Sequence, residues 1–510
     1  MDSGGRRGDS TGPPATFVLA SLFCLGLANH LRDEYGCRWE AAVLEKTVLQ
    51  KLASIVGAKH CRATPEERLL YAYDAVPSAP PALPDAVVFP GSAAEVVDVV
   101  RLANELRFPV VPRGAGTNLT GGSRPVRGGV VLSLARLDRI IEIDLANLQA
   151  IVQPGVITDA LQVEAEKWGL FYPPDPQSKE TCTIGGNLAE NAGGPRAVKY
   201  GVTRQYVLAL EAVLPTGELV RLGARTQKCV AGYDLVSLLV GSEGTLGVIT
   251  EATLRLVPQP AARRTLLASF ARMEDATGAV AAVLQAGIVP SAIEFLDRFA
   301  IACVEDFEPA GLPKDAGAVL IIELDGSVPE VERQQEAVKT LLLQQPDASC
   351  TAATDEIHAG RMWKARRAVG PSLARIAPHK LNEDIVVPIA NLSRAVSDIH
   401  RIAAECKVRC ACFGHAGDGN IHPCFLYDAK DHAQKERVEA ASMEVLRICA
   451  SLGGTVSGEH GIGVEKLPAM SLVFGADDLR AMWHVKLAFD PQGLCNPGKV
   501  LPREEGRRGG

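Results

Sequence analysis

The strand-like pair Val110-Val111 runs straight into Pro112-Arg-Gly-Ala-Gly-Thr-Asn-Leu-Thr-Gly-Gly122, a loop with four glycines. Glycine lets a backbone turn sharply and bring N–H groups against phosphate oxygens. The spacing is not the dinucleotide fingerprint G-x-G-x-x-G, because Leu119 stands where the third glycine would be and no Rossmann helix follows. Taken alone, the loop reads equally well as a structural turn and as a phosphate cradle. Two further segments shift that balance. Pro173–Gly194 also holds four glycines and is dense in hydroxyl and amide side chains. A polar loop that long inside a compact domain needs a ligand to order it. Gly232–Ile249 then ends in closely spaced glycines.

The patterning around these loops is α/β. Ala86–Phe89, Val130–Leu134, Ile140–Ile143, Ala150–Gln153 and Thr253–Val257 read as strands. Ser92-Ala-Ala-Glu95 reads as a capping box ahead of a helix with Val96, Val99, Val100, Ala103 and Leu106 on one face. A helix from Thr158 is expected to end at Gly169. Earlier, Val48, Leu52, Ile55 and Val56 share a helical face, and a proline-rich linker runs from Pro77 to Pro84. From Arg263 the pattern changes. Thr265–Phe270 and Val319–Leu324 read as strands that each precede a helix, with further helices near Glu356–Leu373 and Leu392–Cys406. Strands Asp384–Val387 and Val408–Phe413 border polar loops. This half reads as α+β with an antiparallel sheet.

Two motifs in the second half carry chemistry: Gly414-His-Ala-Gly-Asp-Gly-Asn-Ile-His422 and Gly458-Glu-His-Gly-Ile-Gly463. A glycine-rich turn between two strands can point His415 and His422 into one space. Two imidazoles and a carboxylate form a common divalent-metal set that leaves positions open for substrate. A lone histidine is usually a hydrogen-bonded core or surface residue. Three of the ten histidines falling in two glycine-rich motifs favours function. Asp418 is a rival ligand, although its glycine neighbours make it equally a turn former.

The three glycine-rich segments resemble the FAD-binding domain of the vanillyl-alcohol-oxidase-type flavoproteins, over roughly residues 82–257. The resemblance implies pyrophosphate contacts from Arg113, Gly114, Ala115, Gly116, Thr117 and Asn118. It places Pro174, Asp175, Ser178, Thr183, Gly186, Asn187 and Gly193 beside the isoalloxazine, and Glu243, Gly244, Gly247 and Ile249 near the adenosine and ribitol. Some relatives attach flavin through a histidine in the first loop. Here that loop has none, so FAD is expected to be non-covalent.

The second-half motifs resemble those of the D-lactate, D-2-hydroxyglutarate and glycolate dehydrogenases, most nearly the FAD-linked glycolate oxidase subunits. This implies His415, His422 and Glu459 as ligands of a divalent metal (Zn, Mn or Fe) and His460 as the base. Met362-Trp-Lys-Ala-Arg366 matches the family's W-x-x-R element, whose arginine binds the substrate carboxylate as a bidentate fork. Lys380-Leu-Asn-Glu-Asp384 departs from better-known members and is expected to line the substrate pocket, with Lys380 and Asn420 against substrate. Phe489–Lys499 also matches, and implies that the C-terminus returns to the flavin with Asn496 nearby. The implied architecture is α+β: an N-terminal extension over 1–44, a two-part FAD-binding domain over 45–260, an antiparallel-sheet substrate and metal cap over 261–484, and a returning segment over 485–510. The implied reaction is hydride transfer from a small 2-hydroxy acid of the glycolate or D-lactate type to flavin N5. The alternatives are a flavin oxidase of other alcohols or sugars, which usually lacks the two-histidine motif, and a non-catalytic flavin subunit.

Composition narrows the partners. A net charge of −7 without a basic block argues against nucleic acid. The thirteen cysteines contain no C-x-x-C, which argues against an iron–sulfur cluster, a zinc ribbon or a disulfide scaffold and fits a reducing cytoplasm. Electrons are therefore expected to leave through a quinone, a cytochrome or a partner subunit, in a homodimer or hetero-oligomer. Arg6-Arg7 and the apolar run Phe17–Leu27 resemble a signal segment too short to span a bilayer. A non-functional extension is the favoured reading and peripheral membrane contact the alternative.

Overall fold

Val48, Leu52 and Val56 bury one face of the helix Lys46–Val56, as their spacing predicts. The computed structural model describes residues 44–76 and 79–503, so the run Phe17–Leu27 lies outside the described residues. The first sheet has the order Cys61–Arg62, Ala86–Val88, Val130–Ser133, Val110–Arg113, and its last three strands are parallel. Ala86–Val88 and Val130–Ser133 are buried throughout, which explains their unbroken apolar runs. The helix Ala93–Leu106 begins at Ser92, whose Oγ accepts from Glu95 N at 3.2 Å. Glu95 reaches Gly91 N at 2.8 Å, one residue before the position an ideal capping box would use. An antiparallel sheet follows, in the order Ile140–Asp144, Gln149–Val152, Val248–Arg255, Val207–Val213, Leu219–Gly223. The helix expected to end at Gly169 stops at Glu166. Gly169, at φ 67°, turns the chain into Leu170–Phe171.

The second half is built on an eight-stranded antiparallel sheet. Seven strands form a path, in the order Ser349–Ala352, Ala262–Phe270, Ala318–Gly326, Ala292–Asp297, Arg409–His415, Asn420–Tyr427, His379–Asn382. Ile385–Val386 pairs separately with the Asn420 strand. The expected strand Asp384–Val387 is thus shorter, and Ala292–Asp297 and His379–Asn382 are strands the periodicity did not mark. Helices Met273–Gln285, Val328–Leu342, Leu392–Glu405 and His432–Ser451 share one core with the sheet, and Arg298–Phe307 and Glu356–Ala374 share another.

Register aims the histidines. Phe413 is the cross-strand partner of His422, and side chains two apart on a strand share a face. His415 therefore projects to the same side as His422. Glu294 is the cross-strand partner of His415 on the other edge. No helix among the described residues is long and apolar enough to cross a membrane.

The C-terminal segment runs beside the first sheet. Cys495 bridges Val110 in parallel, and Asn496 N donates to Val110 O at 2.8 Å. Asn496 is 1% exposed, and its Nδ2 donates to Gly122 O at 2.9 Å and Glu243 O at 2.7 Å. That one amide ties the first glycine-rich loop to the third. Asn496→Ala leaves two buried carbonyls without a donor, at about 1–3 kcal/mol. A lowered thermal midpoint in circular dichroism is the expected result, and a midpoint equal to wild type counts against this tie.

Candidate functional site

The three glycine-rich segments meet the cap sheet around one cavity of about 800 Å³. Gly114 lies so close to the second loop that a Cβ there would stand 2.3 Å from Thr183 Oγ1. Thr183 caps the helix Ile184–Glu190 by accepting from Gly186 N at 3.1 Å. Arg113, Gly114, Ala115, Gly116, Thr117 and Asn118 line one end, with Asp175, Ser178, Thr183, Gly186, Asn187 and Gly193 beside them. Glu243, Gly244, Gly247 and Ile249 complete this part of the wall. Pro174 and Asn496 are not on the wall. Pro174 O accepts from Gln162 Nε2 at 2.9 Å, and Asn496 is the tie described above. Several wall residues spend their polar atoms on the protein. Arg113 Nη1 donates to Tyr73 O at 2.7 Å, Asn118 to Asp74 Oδ2 at 2.8 Å, and Asn187 to Thr158 Oγ1 at 2.7 Å. What the loops offer a ligand is therefore largely backbone N–H.

At the other end, Arg366, Lys380, His415, His422, Glu459 and His460 line the same cavity. His415 Nε2 and His422 Nε2 lie 3.4 and 3.5 Å from Glu459 Oε1. The donor atoms of this trio all fall within 4.8 Å of one another. Behind His415 stands a buried carboxylate, Glu294 Oε1 at 2.5 Å from Nδ1; Asp384 Oδ1 lies 3.8 Å from His422 Nδ1, which is buried without a hydrogen-bond partner. A carboxylate behind Nδ1 is the usual second partner of a metal-binding imidazole. His460 Nε2 is 3.8 Å from Glu459 Oε1, and its ring stacks on His422 at 5.2 Å.

The charges suit a cation. Burial disfavours protonation of His415, but the Glu294 and Glu459 carboxylates outweigh it and hold its pKa well above the ordinary histidine value. Carboxylates that favour a proton there favour any cation beside it. Burial and then His460 push His422 down to about 3, so it is a neutral donor. Burial alone would raise Glu459, yet His415, His422 and His460 hold it near 2. Burial pushes Asp418 up to about 6, and it accepts from Asn420 N at 3.3 Å. Asp418 is absent from the trio and acts as the turn former.

Two residues expected at the substrate sit elsewhere or do more. Asn420 is 4% exposed and lies off the cavity wall; its Nδ2 donates to Asp384 Oδ1 at 2.7 Å and Ile385 O at 3.1 Å. Asp384, expected in the pocket wall, instead anchors the second histidine motif. Its Oδ2 accepts from Ser457 Oγ, Gly458 N and Glu459 N at 2.9 Å and from His460 N at 2.8 Å. Gly458 has no room for a side chain, since a Cβ would lie 2.4 Å from Asn420 Nδ2. Burial works against ionisation of Asp384, but His460, Lys466 and His422 hold its pKa well below the usual carboxylate range. A depressed folded-state pKa contributes stability above the unfolded-state value, near 4, and loses it only as pH falls through the lower folded value. On the far side of the motif, Glu243 Oε1 accepts from Ile462 N at 2.6 Å and Oε2 from Gly463 N at 2.7 Å. Glu294, on the strand Ala292–Asp297, and Lys466 are site residues the sequence reading missed.

Comparisons with known proteins define the fold and the family. The fold is that of the vanillyl-alcohol-oxidase-type flavoproteins: p-cresol methylhydroxylase superposes with a TM-score of 0.76 over 89% of this chain and 96% of its own, at 17% identity. Residues 84–223 match the FAD binding domain and residues 259–500 the FAD linked oxidases, C-terminal domain. The glycolate oxidase subunit GlcD of Bacillus subtilis is 42% identical over 466 residues, covering 91% of this chain and 99% of that protein. The D-lactate dehydrogenase of Anaerostipes hadrus is 37% identical over 430 residues, covering 82% and 90%. The chain belongs to the FAD-linked oxidases, in the group that holds the GlcD subunits and these D-lactate dehydrogenases, and it is an FAD-linked oxidoreductase.

The Asp384 anchor has a direct check. In Asp384→Ala the amides of Gly458, Glu459 and His460 lose their acceptor, and Lys466 keeps only Glu383, at 3.7 Å, as a buried counter-charge, a change of about 3–5 kcal/mol. Hydrogen exchange of the peptide spanning 455–463 should speed up while that of Ala318–Gly326 stays slow. Unchanged exchange over 455–463 would remove the anchor role.

Proposed function

We propose that the protein oxidises a small 2-hydroxy carboxylate, of the glycolate or D-lactate type, to the 2-oxo acid, using non-covalent FAD and a divalent metal (Zn, Mn or Fe). The observation that carries this reading is the convergence of His415 Nε2, His422 Nε2 and Glu459 Oε1 on one point of the cavity that the flavin loops also line. The three glycine-rich segments would hold FAD, which when bound would supply the hydride acceptor for the substrate Cα–H, and His415, His422 and Glu459 would hold a divalent metal, which would supply the Lewis acidity that lowers the 2-hydroxyl pKa. Arg366 binds the substrate carboxylate. Its Nε is occupied by Glu294 at 2.6 Å, and neither Nη group has a hydrogen-bond partner among the described residues. His460 takes the hydroxyl proton at Nε2, the ring nitrogen nearer Glu459, while its Nδ1 is buried. Lys380 lines the cavity beyond Arg366 on the strand His379–Asn382 and faces the substrate's side chain. Buried side chains around the base exclude water from the reacting atoms.

Relatives named as subunits support an electron acceptor outside this chain: a quinone, a cytochrome or a partner subunit, within a homodimer or hetero-oligomer. The proposed location is cytoplasmic, with peripheral membrane contact through the acceptor. The proposed division of the chain is FAD binding over 45–260, cap over 261–484 and a returning segment over 485–510, with 1–44 as an extension.

Purified protein should be yellow and release all its flavin on denaturation; flavin retained on the unfolded chain contradicts non-covalent binding. His415→Ala and His422→Ala should each lose metal by elemental analysis yet keep FAD. His460→Ala should keep the metal and slow flavin reduction by about 10²–10⁴-fold in stopped flow. Wild-type reduction in His460→Ala removes it as the base. Glycolate and D-lactate with a dye acceptor test the substrate class, and no turnover of any 2-hydroxy acid would overturn it.

A further inference from the structure

Glu294 belongs to neither histidine motif and does not line the cavity, yet it touches both ends of the substrate site. It is fully buried in the strand Ala292–Asp297. Oε2 lies 2.6 Å from Arg366 Nε and Oε1 2.5 Å from His415 Nδ1. The first contact comes from the helix Glu356–Ala374, and the second is set by strand register, because Glu294 and His415 are direct cross-strand partners. Arg366 is held from another side by Phe413, whose ring centre is 5.0 Å from its Cζ.

We propose that Glu294 is a positioning residue that couples the substrate-carboxylate arginine to the metal-binding histidine. The inference rests on the roles given above to Arg366 and His415. Both donors carry their functional atoms on the side away from Glu294. With Nε engaged, the guanidinium plane is fixed and its Nη pair is left for a carboxylate. With Nδ1–H donating to Oε1, the His415 tautomer is fixed and the Nε2 lone pair is free for a cation. One carboxylate thus sets two angles, and it supplies the negative charge that lets an arginine and a metal ion stand near each other without solvent. A neutral residue cannot do both. A glutamine has one oxygen, so it accepts from one donor and turns its NH₂ against the other.

The test uses FAD-loaded Glu294→Gln. Manganese affinity is measured by chelator competition, and KM and kcat with the 2-hydroxy acid that wild type turns over. The expected result is metal affinity weakened about 10–100-fold and KM raised by a similar order, with FAD content unchanged. A purely structural ion pair would lower only thermal stability. Metal affinity and KM both within about twofold of wild type would overturn the proposal. If Glu294→Gln does not fold, Glu294→Asp carries the same test, since its carboxylate keeps the charge but is too short to reach both donors. His415→Ala separates the two layers of argument. Metal lost in His415→Ala but kept in Glu294→Gln and in Glu294→Asp sinks the coupling role alone. Wild-type metal affinity in His415→Ala sinks the metal reading, and the coupling with it.

Discussion

The second histidine motif has no regular secondary structure of its own, and a buried carboxylate grips its first three residues. Three consecutive backbone amides and a hydroxyl converge on Asp384 Oδ2. Such a ring of donors is a concave anion site built by the backbone, here filled by a side chain of the same protein. Lys466 supplies the counter-charge, donating to Asp384 O at 3.0 Å and Val456 O at 2.7 Å and lying 3.9 Å from Oδ2. Glu459 and His460 are two of the three residues whose amides are gripped, so the anchor fixes the proposed ligand and the proposed base together. The motif's glycines follow from the same crowding. Gly458 presses on Asn420, and a Cβ at Gly461 would stand 2.2 Å from Glu190 Oε2 and 2.8 Å from Glu243 Oε1.

Glu243 ties this motif to the glycine-rich half of the cavity. It leaves the third glycine-rich segment with a left-handed backbone, φ 50°, and receives the amides of Ile462 and Gly463. Asn496 holds the carbonyl of Glu243, so the returning C-terminal segment supports the same contact from behind. Burial and then Glu243 push the neighbouring Glu190 carboxyl well above its usual range. Burial raises Glu243 as well, against the lowering effect of the Ile462 and Gly463 amides, so this dry space disfavours two like charges side by side. The motif is thus clamped by Asp384 from the cap and by Glu243 from the flavin side. The geometry of the reacting groups relative to the flavin loops depends on both clamps.

The sequence made the motifs legible and their supports nearly invisible, for a physical reason. Glycine-rich loops and paired histidines stand out because few other roles need those residues at that spacing. The helices Ala93–Leu106 and Leu392–Glu405 were readable from periodicity, because one face meets the core and the other meets water. The strand Ala292–Asp297 was not, because a strand buried on both faces has no alternation. Glu294 lies in that strand and went unnoticed with it. Asn420 was misassigned for a related reason. An amide inside a catalytic motif looks like a substrate contact, and only the fold shows that its donors are consumed by Asp384 and Ile385. Glu243 lines the cavity as expected, but its grip on a motif 219 residues away could be seen only in the fold.

A second trio that shares His422, formed with Asp384 and His460, also has its donor atoms within 4.8 Å of one another, and lone pairs decide between the two sets that share this histidine. Asp384 Oδ2 already accepts four hydrogen bonds and Oδ1 accepts Asn420, so a metal there would have to displace donors that fold the motif. Glu459 accepts only the weak contacts of the imidazoles around it, the shortest at 3.4 Å, so its carboxylate is free to bind. The rings agree. His415 and His422 meet edge to face at 89°, which lets two nitrogens approach one point from different directions. His422 and His460 stack within 8° of parallel, which sets their nitrogens side by side. A parallel pair is poorly shaped for sharing one ion but well shaped for holding a base one ring-thickness from a ligand. The arrangement therefore favours His422 as the ligand shared with His415, and leaves His460 free to exchange a proton.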